Sequence, residues 1–65
     1  MGNESKYAHL KTDKERYRAI DKMPYTDWGV VADWEEETTD PEYKRLFHSA
    51  ARSMYHTEEY YNGTL

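Results

Sequence analysis

Carboxylates are concentrated in one short segment of the chain. Residues 24–42 hold seven acids and no base, and five of these acids fall within the eight residues from Asp33 to Asp40. Carboxylates at this density can bind a basic protein surface, or they can replace the phosphates of a nucleic acid, as in a DNA mimic. The simpler interpretation is a solvated connection whose acids also cap the next helix. The residues alone leave these interpretations open.

Large aromatic side chains lie beside these acids, at Tyr25, Trp28 and Trp34. Tyrosine and tryptophan bury a large area and keep a polar group, so they often anchor protein interfaces. Aromatic anchors surrounded by carboxylates favour a surface that binds a basic partner protein. We predict the following partner-binding residues: Tyr25, Trp28, Asp33, Trp34, Glu35, Glu36, Glu37, Asp40 and Glu42.

Four bases form a second charged pattern, which we call the basic stripe: Lys11, Lys14, Arg18 and Lys22. On a helix their spacing places them along one face, where like charges one turn apart repel each other. The acids of residues 35–37 could offset this charge within the chain, or the acids of a second copy could do so in a homodimer. The stripe has no interleaved aromatic residues and the net charge is −4, so nucleic-acid binding through these bases ranks last.

The histidines and serines form no catalytic or metal-binding pattern. His48 and His56 are eight residues apart, and Glu59 follows His56 by one helical turn. Two ligands do not complete a zinc site, and neighbouring arginines repel a cation. Ser49 and Ser53 have no base and orienting acid arranged around them. We therefore predict a protein that is not an enzyme and that binds no metal or cofactor.

The length of the chain limits it to one small domain. A core built from 65 residues without cysteine supplies about 3–5 kcal/mol of stability. Seven tyrosines, two tryptophans and one phenylalanine favour a folded chain over a disordered one. No apolar run approaches the length of a membrane span or a signal-peptide core, so we expect a cytoplasmic protein that does not enter a membrane.

The start of the first predicted helix is clearly marked in the sequence. Thr12 and Glu15 form a capping box, which predicts a helix from Asp13 to Met23 that stops at Pro24. Residues 1–11 precede it as a loose arm, held by Tyr7 and Leu10.

The segment Trp28–Trp34 alternates with period two, as a strand does, but it also fits a helix. In the helical interpretation Thr26 is the N-cap, and Val30, Val31 and Trp34 form the buried face. A strand would have only residues 6–11 as a partner, and a two-stranded pairing is marginal. We therefore favour the helix.

The last helix has the clearest signals. Asp40 is a strong N-cap residue, Pro41 occupies the first helical position, and Gly63 marks the stop. Apolar residues then recur at three- and four-residue steps, which predicts the buried face: Tyr43, Leu46, Phe47, Ala50, Ala51, Met54 and Tyr61.

These patterns predict an all-α protein, a small three-helix domain over residues 12–65. The alternative is an α+β fold with Trp28–Trp34 as a strand. The predicted function is a non-enzymatic protein-binding module, a small acidic inhibitor or modulator. A small structural subunit, packed into a larger assembly by its aromatic residues, is the alternative.

In type, the chain resembles the small acidic, aromatic-rich proteins that bacteriophages make early in infection to bind and disable host enzymes. The resemblance rests on size, charge and the lack of a catalytic signature, and it covers no motif. It implies an inhibitor located in the cytoplasm of a host cell, and it assigns no residues.

Overall fold

The structure is a computed structural model that describes residues 6–63, with side chains up to Tyr61. Its helices are α1 (Asp13–Ala19), α2 (Trp28–Glu37) and α3 (Pro41–Gly63), with short 3-10 helices at Ile20–Lys22 and Tyr25–Asp27. Residues 6–63 contain no strand. The predicted small all-α three-helix domain is confirmed, and the α+β alternative is wrong. None of the helices within these residues has the length and apolarity needed to cross a membrane.

The capping box at the start of α1 is present as predicted. The Thr12 hydroxyl accepts a hydrogen bond from the Glu15 amide at 3.2 Å. The Glu15 carboxylate in turn accepts from the amides of Lys11 and Thr12, at 3.0 and 3.2 Å. These two donors, Lys11 first, lower the pKa of Glu15, because they stabilise its charged form.

Helix α1 ends earlier than the sequence predicts. Its α-helical hydrogen bonding stops at Ala19, and the 3-10 turn Ile20–Lys22 follows instead of continuing the α-helix to Met23. Met23 is extended, with ψ of 139°, because a residue that precedes proline is forced out of the helical region. A 3-10 turn is a common way to tighten the chain before such a stop.

Helix α2 buries the face that the helical interpretation predicts, made of Val30, Val31 and Trp34. Its predicted N-cap is wrong, because Thr26 lies inside the 3-10 turn Tyr25–Asp27 and Asp27 occupies the cap position. The Asp27 side chain makes no capping hydrogen bond, since it is bound to residues near the N-terminus instead.

Helix α3 begins at the predicted residues. The Asp40 carboxylate accepts from the Glu42 amide at 2.9 Å, and the Asp40 amide donates to the Thr38 hydroxyl at 3.2 Å. Thr38 is buried and donates to the Asp13 carboxylate at 2.7 Å. The turn between α2 and α3 is thereby bonded to the start of α1. Gly63 is the last residue of the helix rather than the residue after it.

The core lies between α2 and α3. Phe47 and Val31 are fully buried, and Ala51 and Met54 extend the buried stripe of α3. Tyr61 was predicted on this stripe but is exposed and stacks on Tyr25. The start of α2 meets α3 at Tyr55 and Glu58, through Trp28, so the turn at Tyr25 is what reaches Tyr61.

The segment before α1 also contributes to the core. Tyr7 and Leu10 pack against it, and the Tyr7 ring meets the Trp34 ring edge-on at 5.9 Å. The guanidinium of Arg16 lies 5.5 Å from the Trp34 ring and donates to the carbonyl of Leu10 at 3.2 Å. Trp34 is therefore enclosed by all parts of the fold.

Gly29 in the first turn of α2 is expected to tolerate alanine with a gain in stability. It is exposed, and beyond its chain neighbours and the backbone of its own helix no atom lies within 4 Å of the position that a Cβ would occupy. Alanine favours a helix over glycine by about 0.5–1 kcal/mol. We expect Gly29→Ala to raise the melting temperature of dilute protein by several degrees, measured by circular dichroism. A lower melting temperature would show that the fold needs glycine there.

Candidate functional site

The structure separates the predicted partner-binding residues into groups with different roles. Trp34 is only 5% exposed and belongs to the core. It therefore cannot act as a surface anchor, although its place on the buried face of α2 agrees with the helical interpretation. Asp40 and Glu42 are exposed at the start of α3, where the Asp40 carboxylate caps the helix and a negative charge is favourable.

Two of the predicted acids are bound within the chain. The Glu35 carboxylate lies 3.2 Å from Nδ1 of His48 on α3. The Glu37 carboxylate lies 3.2 Å from the guanidinium of Arg16 on α1. These contacts join α2 to both neighbouring helices. Reversing the charge of Glu35 or Glu37 would therefore disturb packing as well as any external contact.

Asp33 and Glu36 remain available to a partner. They lie three residues apart on the exposed side of α2, and Gly29 lies on the same side. We call these three residues the outer face of α2. Asp33 borders a small depression above Arg16. No hydrogen bond or salt bridge connects either carboxylate to another residue that the structure describes.

The aromatic residues beside the acids are partly exposed. Trp28 is half-buried, and its indole N–H donates to the Glu58 carboxylate at 2.6 Å. The Trp28 ring meets the Tyr55 ring edge-on at 4.9 Å. Tyr25 is exposed and stacks on Tyr61 at 5.7 Å. Contacts with α3 therefore fix the orientation of Tyr25 and Trp28.

An open groove of about 450 Å³ runs between α2 and α3, and we call it the α2–α3 groove. Its apolar floor and polar rim comprise Trp28, Ala32, Ala51, Tyr55, Glu35, His48, Arg52 and His56. It continues past Glu35 and His48 into a depression of about 330 Å³ beside Arg45. A groove this open is better suited to contact with a side chain of another protein than to enclosure of a small substrate.

Tyr55 lines the α2–α3 groove but is not among the predicted partner-binding residues. The only sequence signal for its role is the helical spacing of Tyr55 and Glu58, which lie one turn apart. Their common contact with Trp28 depends on the packing of α3 against α2, which spacing within one helix does not specify.

The basic stripe is not one continuous helical face. Lys14 and Arg18 lie on α1, whereas Lys11 precedes the cap and Lys22 lies in the 3-10 turn. All four side chains are exposed, and none of them forms a salt bridge with an acid in the described ranges. Pairing with the acids of residues 35–37 was one alternative for this stripe. The base that pairs with Glu37 is Arg16, which is not part of the stripe.

The histidines do not assemble a metal site. His56 lies 3.6 Å from the Glu59 carboxylate on the next turn. Within residues 6–61 no three histidine or carboxylate side chains are grouped so that they could hold a metal ion. His48 and His56 instead line the rim of the α2–α3 groove.

The outer face of α2 offers carboxylates to a partner and the adjoining α2–α3 groove offers aromatic rings, so together they form the best candidate site. The chain matches no family model, no curated protein and no solved structure.

Proposed function

We propose that this chain is a non-enzymatic protein-binding module that inhibits or modulates a partner with a basic surface. The observation that carries the proposal is the position of Asp33 and Glu36, which are exposed and unpaired in the described structure. They lie on the same short helix as the half-buried ring of Trp28. The contact surface then consists of aromatic anchors at Tyr25 and Trp28 with carboxylates beside them.

The physical roles of the two residue types differ. Charges at the rim of an interface mainly accelerate association and select partners of opposite sign. Large aromatic side chains that become buried supply most of the binding free energy. Trp28 is suited to this second role because its hydrogen bond to Glu58 and its contact with Tyr55 hold the ring in place before binding. A preorganised anchor loses little conformational entropy.

We expect the double reversal Asp33→Lys with Glu36→Lys to weaken partner binding about tenfold or more, because attraction becomes repulsion. The fold should remain, since Glu36 lies in the last turn of α2, where a positive charge is favoured over a negative one. The control is Asp21→Lys, an exposed acid in the 3-10 turn Ile20–Lys22, outside this helix. Circular dichroism verifies that helix content is unchanged in each variant.

The measurement is a tagged pull-down from nuclease-treated bacterial lysate, followed by titration of the purified partner at several salt concentrations. Capture supports the proposal only when the double reversal removes it and Asp21→Lys keeps it. Equal affinity of the double reversal and the parent would contradict the proposal. In the DNA-mimic form of the proposal, added DNA also releases the partner, because both occupy one basic site.

A small structural subunit is the second candidate, and one observation favours it. Exposed tyrosines continue from the groove along the last turns of α3, at Tyr55, Tyr60 and Tyr61. In a larger assembly these rings would be buried by neighbouring subunits. Such a contact persists at high salt, whereas the electrostatic contact of the first candidate weakens. The resemblance in type to bacteriophage inhibitors favours the first candidate, acting in a host cytoplasm.

A further inference from the structure

Two arginines on the far wall of the α2–α3 groove have no charged partner among the described residues. Arg45 and Arg52 are exposed and seven residues apart, so they lie on the same side of α3; we call them the arginine wall. Arg52 lines the groove beside Trp28 and Tyr55, and Arg45 lines its continuation. Neither guanidinium forms a hydrogen bond or salt bridge with a side chain that the structure describes.

The surface around the groove is therefore divided by charge. The outer face of α2 carries the carboxylates of Asp33 and Glu36, which have no partner among the described residues, and α3 carries the arginine wall. The apolar floor, with Trp28 and Tyr55, lies between them. When two copies meet across a two-fold axis through such a surface, the acidic half of each copy lies on the basic half of the other. Self-complementarity of this kind is what a symmetric dimer interface requires.

Gly29 provides an independent reason to expect close contact at this surface. A glycine in a helix costs stability relative to alanine, and nothing within 4 Å requires the absence of a side chain there. The neighbouring groove residue Ala32 is also small. Together they allow the backbone of α2 to approach another helix closely, in the manner of small residues at helix crossings.

We propose that the chain forms a symmetric homodimer through the α2–α3 groove. Asp33 and Glu36 of each copy bind Arg45 and Arg52 of the other, and the two apolar floors meet at the centre. This inference does not rest on the proposed function, although a basic partner would compete for the same carboxylates. A small core gains stability from such an interface by mass action.

The decisive experiment is charge-swap complementation, followed by sedimentation equilibrium. One variant carries Asp33→Lys and Glu36→Lys, and the other carries Arg45→Glu and Arg52→Glu. Each alone places like charges opposite each other, so we expect its dimer dissociation constant to rise about tenfold or more. In an equal mixture, every lysine faces a glutamate and every remaining acid faces an arginine. The mixture should dimerise with close to the parent affinity.

A matched control reverses two bases outside the interface, Lys14→Glu with Arg18→Glu, and should leave dimerisation unchanged. A parent chain that stays monomeric at high concentration would overturn the proposal. A mixture no more dimeric than its two components, or species larger than a dimer, would also overturn it. The Arg45→Glu, Arg52→Glu variant keeps Asp33, so partner binding in this variant tests the proposed function separately.

Discussion

Replacing Phe47 with alanine is expected to unfold most of the chain. Phe47 is fully buried, and its ring centroid lies 5.9 Å from that of Trp34 and 5.9 Å from that of Tyr43. Loss of a buried phenylalanine costs about 3–5 kcal/mol, from lost burial and the cavity that remains. A domain of this size has about 3–5 kcal/mol in total. Far-UV circular dichroism should therefore show loss of helix before any denaturant is added.

The control for this prediction is Tyr60→Ala, which removes another aromatic ring from the same helix. Tyr60 is 67% exposed, so its replacement should change the free energy of unfolding by no more than about 0.5 kcal/mol. If Phe47→Ala unfolded at the same urea concentration as Tyr60→Ala, the core could not lie between α2 and α3. An added partner that restores helix in Phe47→Ala would show how strongly binding is coupled to folding.

The elements that the sequence predicts best are those whose signals are local. The start of α3 depends on Asp40 and Pro41, which act within one turn, and its buried face follows from helical spacing. The capping box of Thr12 and Glu15 is equally local. In each case the residues that determine the structure are neighbours in the chain, so their types and spacing contain the necessary information.

Helix α2 shows where local signals end. The segment Trp28–Trp34 fits the period of a strand and that of a helix. The helix forms because its buried face packs against the apolar face of α3. Asp27 rather than Thr26 occupies the cap position, and its carboxylate is bound by Tyr7, 20 positions earlier in the chain. No pattern within residues 25–38 reveals that contact.

Prediction of the candidate site from the sequence is limited in the same way. Sequence alone finds the acids but treats them as one group, whereas the fold assigns Glu35 to His48 and Glu37 to Arg16. Which carboxylates remain for a partner depends on bases contributed by two other helices. The surface of a small protein is thus determined by its packing as much as by its composition.

Replacing Tyr7 with phenylalanine is expected to destabilise the chain by about 1–3 kcal/mol, the cost of leaving a buried polar group without its hydrogen bond. The Tyr7 hydroxyl donates to the Asp27 carboxylate at 2.6 Å, and Asp27 is only 3% exposed. The remaining cation, Lys6, lies at 3.6 Å and is largely exposed. Phenylalanine keeps the ring against Trp34, so the change isolates the hydroxyl. Urea unfolding measures the difference.

The same hydrogen bond gives the parent chain a specific sensitivity to alkaline pH. The hydrogen bond to Asp27, together with burial and the charge of that carboxylate, raises the pKa of Tyr7 from 10.0 to about 12. Between these values the folded chain holds a proton that the unfolded chain releases. The stability that this pair contributes is therefore complete below pH 10 and is lost as the pH rises towards 12.

We expect the urea midpoint of the parent to fall between about pH 10 and about pH 12, and that of Tyr7→Phe to fall less. The two curves should converge at the alkaline end, because ionised Tyr7 can no longer donate to Asp27. Tyr60→Phe keeps the Tyr7 pair and should follow the parent. Parallel curves for the parent and Tyr7→Phe would mean that the hydroxyl does not bind Asp27. The segment before α1 would then be held by the Tyr7 ring and Leu10 alone.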